Sequence, residues 1–504
     1  YVAPESDLER SIANILGELL GIEEVSMEDD LFRDLGVHSL LVARLNTRLR
    51  EELGISDLSM REIYTHPVVR DLAVYLSSKP RVEEVGRASD EFRIPSRFEY
   101  YGCAVLQAMY YFAFLFVAIW ILLQAVPWTI AARDTMTFIL RANTVLASSF
   151  VGWILLTVTM KWLLVGKFKR ERFPIWSVAY FRFWVVKQLI ETSPMQFFRG
   201  YPLFNVYLRL LGAKIGKNVV LETRSLPICA DLIDIGDGTI MRRDSILVSH
   251  KAMLNYIYTG PIKIGRNVVI GEGSLIDQDV VIDDGVELDQ ASSVHGRQVL
   301  AGGRRYQGSP AQEAATKPRV NDHRQVSLLR RFIYSAVHLL CWFFVTSLLA
   351  FGAHAAVMSF GLPTAKPMST GWAVDILVAS SIVFICILLL RLLLVAAVPR
   401  ILGPLLKEGR VYVLYGFHYF IFRSIRFLSN SELFNLIFGD SSFIVHYLKF
   451  VGYKLGRVVL TGINFGLEQR HDIPSLTELG RGTIVSDGLW VSYVSLSCTA
   501  FKLG

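Results

Sequence analysis

Ile264, Ile270, Ile276, Ile282, Leu288 and Val294 recur every six residues without a break. Four residues after the first five come Val268, Ser274, Val280, Val286 and Ser292, and Gln298 breaks the sixth turn. Gly265 and Gly271, then Asp277, Asp283 and Asp289, follow the aliphatic positions directly. Such a period belongs to a three-sided coil in which each turn stacks an aliphatic residue over the last. The matched rungs predict a left-handed parallel β-helix. Ile215-Gly216-Lys217-Asn218-Val219 and Ile235-Gly236-Asp237-Gly238-Thr239 read as earlier rungs of the same coil.

The repeat is architectural, and chemistry needs a base. Asp244-Ser245-Ile246-Leu247-Val248-Ser249-His250 leads into an irregular insertion, Lys251 to Gly260, before Pro261-Ile262-Lys263-Ile264-Gly265 resumes the coil. This segment resembles the hexapeptide acyltransferases, such as the galactoside acetyltransferases. The resemblance implies that His250, just before a protruding loop, takes the proton from an acceptor nucleophile. Neutral imidazole suits that task because its pKa lies near ambient pH. The alternative is a surface-loop histidine. His295, inside a regular rung, is read as structural, and Asp244 is the one carboxylate suggested to orient His250. Tyr306-Gln307-Gly308-Ser309-Pro310-Ala311 is similar to the segment that closes such coils, which implies backbone contacts from Gly308 and Ala311 to a pantetheine.

A second constellation lies near the start of the chain. Asp30-Leu31-Phe32-Arg33-Asp34-Leu35-Gly36-Val37-His38-Ser39-Leu40 places a serine where an apolar helix begins. Unpaired backbone N–H groups and the helix dipole favour a phosphodiester there, and an ordinary N-cap serine is the plainer reading. Leu40, Leu41, Leu45 and Leu49 are expected to bury one face. Leu8, Ile12, Ile15, Leu16 and Leu19 repeat at helical spacing behind Ser6-Asp7, and a last helix is expected from Pro67. Residues 5–77 resemble the peptidyl carrier (thiolation) domain of nonribosomal peptide synthetases. That implies a covalent 4′-phosphopantetheine on Ser39, installed by a phosphopantetheinyl transferase, with His38 a neighbour of no catalytic role.

Hydrophobic residues make up 52% of the 504, and they cluster. Segments 102–127, 143–166, 332–353 and 372–398 are each long enough to cross a bilayer. Lys161, Lys167, Lys169, Arg170, Arg172, Arg330, Arg331, Arg400 and Lys407 flank their inner ends, so both termini and the 167–331 segment are expected in the cytoplasm. The net charge of +7 then suits an anionic leaflet and calls for no nucleic acid. The aromatic, basic stretch Trp176 to Leu211 suits helices in the interface plane, or helices packed on the next domain. The 5 cysteines show neither zinc spacing nor a disulfide framework, so no metal is expected.

The second half echoes the first. Leu211-Gly212-Ala213-Lys214-Ile215-Gly216 matches Val451-Gly452-Tyr453-Lys454-Leu455-Gly456, and Gly236-Asp237-Gly238-Thr239-Ile240 matches Gly480-Arg481-Gly482-Thr483-Ile484. Ser249-His250 aligns with Ser492-Tyr493, which removes the base from the second copy, and His471 is given no role. The chain is expected to be part of a longer one. Its fold class is therefore multidomain: a small all-α carrier bundle, transmembrane α-helices and left-handed parallel β-helix domains. Expected boundaries are a carrier at 1–78, a linker at 79–98, a first transmembrane hairpin at 99–166 and interfacial helices at 167–211. The acyltransferase-like coil follows at 212–316, a second hairpin with its juxtamembrane segment at 317–398, further interfacial helices at 399–450 and a second coil at 451–504.

This order resembles the membrane-bound synthetases of the ε-poly-lysine synthetase type. The resemblance implies amide-bond formation, by His250, between an amine acceptor and the acyl or aminoacyl group of a Ser39-bound thioester. ATP is then used only by an adenylation domain, upstream or in trans. One alternative is a coenzyme A-dependent O- or N-acyltransferase acting on a sugar or lipid. Another is a membrane scaffold or transporter, for which Lys161 and Arg391 within spans are the motive, although snorkelling to the headgroups is the simpler account.

Overall fold

A capping box opens the first helix. Ser6 Oγ accepts from Glu9 N at 3.2 Å, Glu9 Oε2 accepts from Ser6 N at 2.8 Å, and Gly21 ends the helix with a left-handed φ of 69°. The computed structural model describes residues 1–22, 24–53, 58, 60–78, 93–224, 226–316, 326–359, 370–439, 441–456, 469–483, 485, 488–492, 494–497 and 500–503. Tyr1–Arg93 and Ile94–Gly504 are two compact units. In the first, α1 (Asp7–Leu20), α2 (Ser39–Glu52), α3 (Met60–Thr65) and α4 (Val69–Ser78) enclose Ile12, Leu16, Val42, Leu45, Leu49 and Leu72.

Two expectations for this unit change. The buried stripe of α2 is Val42, Leu45 and Leu49, with Leu41 only partly buried, and the side chain of Leu40 lies outside the described residues. The last helix begins at Val69 rather than Pro67. Pro67 and Val68 are drawn into an extended bridge instead: Leu31 N donates to Pro67 O at 2.8 Å, and Asp30 pairs antiparallel with Val68.

The second unit opens with α5 (Arg97–Ile130), which Ser96 caps by a second capping box with Glu99, so the last two linker positions are helical. Residues 79–92 of the expected linker lie outside the described residues. α5, α6 (Thr135–Leu164), α9 (Leu328–Ser359) and α10 (Thr370–Leu402) each contain a stretch long and apolar enough to cross a membrane. Phe112, Phe116, Leu123 and Leu163 stand exposed on the first two, which water would penalise and lipid would not. Between the pairs, α7 (Val178–Glu191) and α8 (Pro202–Leu210) bury Phe183, Val186, Ile190 and Phe204 in the core shared with the coil. They leave Val178, Val206 and Leu210 exposed, so both expected roles have a face.

The six-residue spacing becomes three parallel sheets. Strands at 269–270, 275–276 and 281–282 pair with 287–288, 293–294 and 299–300, so eighteen residues complete a three-sided turn. All six residues of the aliphatic row are buried, and so are Val268, Val280 and Val286. Corners fall at every sixth residue with left-handed φ, from Asn267, Gly273 and Asp279 through Gly285, Ala291 and Arg297 to Gly303. A rung also passes close over Gly265 and Gly271, the two glycines that follow an aliphatic residue of the row. A Cβ on Gly271 would lie 2.3 Å from Gln290 N, which explains the glycine. Gln298 does not end the coil: Leu300 and Tyr306 stay buried beyond it, and its amide donates to Ala311 O at 2.7 Å.

The stretch Lys251 to Gly260, irregular by sequence, is a β-hairpin. His250–Met253 and Tyr256–Thr259 pair antiparallel across Leu254 and Asn255, both with positive φ, and Glu171–Pro174 adds a third strand. The second half rebuilds part of this pattern with α11 (Phe417–Ser429), α12 (Glu432–Phe438), α13 (Ile444–Val451) and a sheet of Val411–Val413, Ala500–Leu503 and Val494–Leu496.

Candidate functional site

Ser39 stands exposed at the first position of α2. The segment before it is braced from both sides. Asp30 Oδ1 accepts from Phe32 N and Arg33 N at 2.8 and 3.0 Å, and Val37, itself buried, donates its N–H to Leu31 O at 2.7 Å. His38, the N-cap, makes no side-chain capping bond, so the first-turn N–H groups beside Ser39 remain open to an oxyanion. An exposed hydroxyl at such a helix start fits a phosphopantetheine arm.

His250 begins the first hairpin strand, opposite Thr259. Its ring lies 5.2 Å from that of Phe183 on α7, tilted by 63°. Phe183 in turn packs on Phe173 and Phe168, so the imidazole rests on a shelf of three phenylalanines. Nδ1 is buried and has no hydrogen-bond partner among the described residues. Burial, aided by the Lys187 ammonium, pushes the imidazole down to about 4, so it is neutral at ordinary pH. Lys251 leaves the opposite face of the strand and pins the hairpin to the coil, its Nζ 2.5 Å from the nearly buried Asp277.

Other expected participants go elsewhere. Asp244 does not orient His250; it turns a corner with φ 60° and pairs with Arg243 at 3.3 Å and Arg470 at 3.9 Å. His295 is exposed, with Nε2 3.0 Å from Ser293 Oγ. Gly308 N donates to Ser292 Oγ at 3.1 Å and Gly308 O accepts from Ser293 N at 3.0 Å. Ala311 N donates to Ser293 O at 2.7 Å. Both N–H groups are therefore engaged inside the coil, which leaves only carbonyl lone pairs for any ligand.

Lys161 does not snorkel. It is fully buried, and its Nζ lies 2.8 Å from Asp231 Oδ2, which also accepts from Phe168 N at 3.0 Å. The coil brings Asp231 to the C-terminal end of α6, where the buried carboxylate meets the ammonium directly. A Cβ on Gly212 would sit 2.1 Å from Asp231 Oδ1, so this glycine makes room for the pair.

The second copy can be set on the first by its backbone. Trp176 and Tyr415 share a positive φ and precede Ser177 and Gly416, the N-caps of α7 and α11. Phe183 then corresponds to Phe422 and Lys187 to Arg426. Phe173 lies opposite Ile257, and Tyr412 opposite Phe501; two residues on, Thr259 faces His250 and Leu503 faces Val494. Val494, buried, therefore holds the place of His250. Alignment by sequence identity puts Tyr493 there, a residue outside the described ones.

This second hairpin meets the first coil through charge. Arg242 bonds Glu272 at 2.8 Å and also donates to Val494 O, and Trp490 Nε1 reaches Glu272 at 3.1 Å. Glu222, fully buried, takes Arg426 at 2.7 Å together with Arg423. Burial alone raises the Glu222 carboxyl, but the two guanidinium groups outweigh it and hold it at about 2. His471 is buried nearby, and burial with the Arg243 charge pushes it down to about 3.

Sequence reading missed Phe183, Lys187, Asp231 and Glu222. The first two had a signal, an aromatic and a cation one helical turn apart. The others had none, because their partners lie 70 and about 200 residues away.

Residues 10–76 match the family described as "Phosphopantetheine attachment site". Over 362 residues, 68% of this chain and 27% of the relative, the sequence is 25% identical to Delta-poly-L-ornithine synthetase of Acinetobacter baumannii (strain AB307-0294). Over 97 residues, 19% of this chain and 4% of the relative, it is 34% identical to the dimodular nonribosomal peptide synthase of Bacillus subtilis (strain 168). A maltose O-acetyltransferase from Clostridium difficile 630 aligns at 18% identity with a TM-score of 0.22, covering 27% of this chain and 85% of that one. The chain thus matches little more than a quarter of the length of the first relative and far less of the second. It contains a phosphopantetheine carrier domain, which implies a covalently bound 4′-phosphopantetheine, and it is homologous to nonribosomal peptide synthetases.

Proposed function

We propose that this chain is the carrier and transferase part of a membrane-bound nonribosomal peptide synthetase of the ε-poly-lysine synthetase type, and that it forms an amide bond. In this reading the carrier spans 1–78, the transferase coil at 212–316 is left-handed, and the four apolar helices cross the membrane with the remaining domains in the cytoplasm. Held on Ser39, the arm supplies an acyl or aminoacyl thioester as donor. The acceptor amine attacks the thioester carbonyl, and His250 accepts the proton the amine loses. As the C–N bond replaces the C–S bond, that proton passes to the leaving pantetheine sulfur, which stays on Ser39 as the free thiol. Activation comes from an adenylation domain, upstream or in trans, and arm attachment from a phosphopantetheinyl transferase.

The observation that carries this reading is the neutral, half-buried imidazole of His250 at the root of the coil's hairpin, in a chain that also has a carrier domain. A neutral imidazole has its lone pair free to accept a proton at ordinary pH, and the burial that holds it near 4 makes it a weaker base than an exposed histidine. The pairing of Lys161 with Asp231 gives that cation a structural role and leaves Arg391 as the remaining motive for a transporter. Relationship to Delta-poly-L-ornithine synthetase makes L-ornithine the amino acid to try first.

The test uses the full chain in lipid nanodiscs, with Ser39 loaded by a promiscuous phosphopantetheinyl transferase from ornithyl-coenzyme A. Intact mass is expected to show loading of the wild type and none of Ser39→Ala. Added L-ornithine is expected to discharge the loaded protein into a dipeptide, and His250→Ala to stay loaded. Equal discharge of the wild type and His250→Ala would remove His250 from the chemistry. Discharge from free acyl-coenzyme A with Ser39→Ala intact would favour the coenzyme A-dependent alternative.

A further inference from the structure

We infer that Lys187 binds the carboxylate of the acceptor, so that the acceptor is an amino acid or peptide held at two points, its carboxylate on α7 and its amine at His250. The inference rests on the amide-forming reading above. Phe183 and Lys187 are one turn apart on α7 and share a face. Phe183 touches the His250 ring, so that face is the wall of the site. Lys187 is close enough for its charge to act on His250.

The internal repeat shows what a cation at this place does. Its counterpart Arg426 also stands one turn after a phenylalanine, Phe422, whose ring stacks on Phe501 of the second hairpin at 5.2 Å. There the base is replaced by Val494, and the cation is buried on two carboxylates, Glu222 at 2.7 Å and Asp472 at 4.0 Å. In the first copy Lys187 keeps a third of its side chain exposed, and its counter-ion is Glu191 on the same helix at 3.8 Å. The same geometry therefore takes carboxylates from the protein where no base remains, and leaves a cation open to solvent where the base is present. An exposed pair one turn apart on a helix contributes little and exchanges readily for a better carboxylate. A carboxylate on Lys187 also leaves the neutral imidazole to the amine, since an acceptor anchored by its acid end presents its amine end elsewhere.

The experiment compares L-ornithine with L-ornithinamide as acceptors for the Ser39-loaded full chain, in wild type, Lys187→Gln and Lys187→Arg. For ornithine, Lys187→Gln is expected to raise KM about tenfold, the scale of one lost charged hydrogen bond, with kcat changed little. For the amide, wild type and Lys187→Gln are expected to agree, and Lys187→Arg to restore most of the ornithine KM. If Lys187→Gln changes both acceptors by the same factor, or neither, the carboxylate contact is wrong while the His250 reading stands. If no acceptor discharges the loaded wild type, the amide-forming reading fails and takes this inference with it.

Discussion

The two hairpins of this chain share a scaffold and differ in chemistry. Each has a short outer strand entering an amphipathic helix through a positive-φ residue, an aromatic shelf on that helix, and an antiparallel pair standing on the shelf. The first places His250 on the shelf and leaves Lys187 partly in water; the second places Val494 there and buries Arg426 on Glu222. The shelf is thus the constant part, and a single position decides between an imidazole and a piece of core. The second hairpin acts as a buttress: its Val494 carbonyl, with Arg426 of α11 and Trp490 of the strand Leu489–Val491, holds the second half to the first coil.

The hardest test of that contrast is a pair of alanine substitutions. His250→Ala is expected to slow discharge of loaded Ser39 at least a hundredfold, the lower range for loss of a general base. Val494→Ala is expected to leave the rate within twofold and to cost stability instead. A rate loss from Val494→Ala comparable to that of His250→Ala would mean that the second hairpin also works as a reaction centre. The pH profile sharpens the same comparison. Because the folded His250 sits near 4, kcat/KM expressed per unprotonated acceptor amine is expected to hold across pH 5 to 6.5 and to fall only as pH drops through about 4. Removing the neighbouring charge in Lys187→Gln raises the imidazole toward its ordinary value near 6.5, so the acidic limb is expected to move up. A wild-type limb already at 6.5 would mean that the ring is more hydrated than its phenylalanine shelf implies.

A second contrast separates the two apolar helices that carry an interior cation. Lys161 is sealed against Asp231, whereas Arg391 lies over the Phe434 ring at 5.9 Å. Asp231→Asn leaves a buried ammonium without its counter-ion and is expected to cost about 3–5 kcal/mol. Hydrogen exchange of α6 and the coil rungs at 233–241 reports that loss directly. The double variant Lys161→Met with Asp231→Leu is expected to recover most of it, as apolar replacements of buried pairs do. Recovery by the double variant marks a structural clamp; none would mean that the charges serve another purpose.

What was legible in the sequence followed from periodicity. The aliphatic row from Ile264 to Val294 read as a coil, and it is one, because each of those residues must meet its counterpart eighteen residues on. The four apolar stretches and the serine at the head of α2 were legible for the same reason, since each is a local pattern. Long-range electrostatics left no trace. Nothing near Asp244 indicates that its partners are Arg243 and Arg470 instead of a histidine six residues on. Alignment by identity also chose Tyr493 over Val494, because the hairpin ladder that fixes the register has no residue motif. The turn Leu254-Asn255 was missed as a hairpin signal, since only the asparagine belongs to the residues that favour positive φ.

The smallest effect falls on matched glycines of the two coils. Gly236 and Gly480 are equivalent by the internal repeat. A Cβ on Gly236 would lie 2.6 Å from Gly265 C and 2.7 Å from Arg266 N, both backbone atoms of the next rung that cannot step aside. A Cβ on Gly480 meets no described atom within 4 Å, and its backbone is not in the left-handed region. Gly236→Ala is therefore expected to cost about 1–3 kcal/mol, the usual penalty for forcing a carbon into a packed interior. Gly480→Ala is expected to be neutral or to stabilise by up to about 1 kcal/mol, because alanine narrows the unfolded ensemble at no steric cost in the fold. Exchange protection at 233–241 and at 478–479 reads each rung in the same protein. A cost at Gly480 equal to that at Gly236 would mean that another strand covers the second coil there, and the two coils would then differ in their hairpins alone.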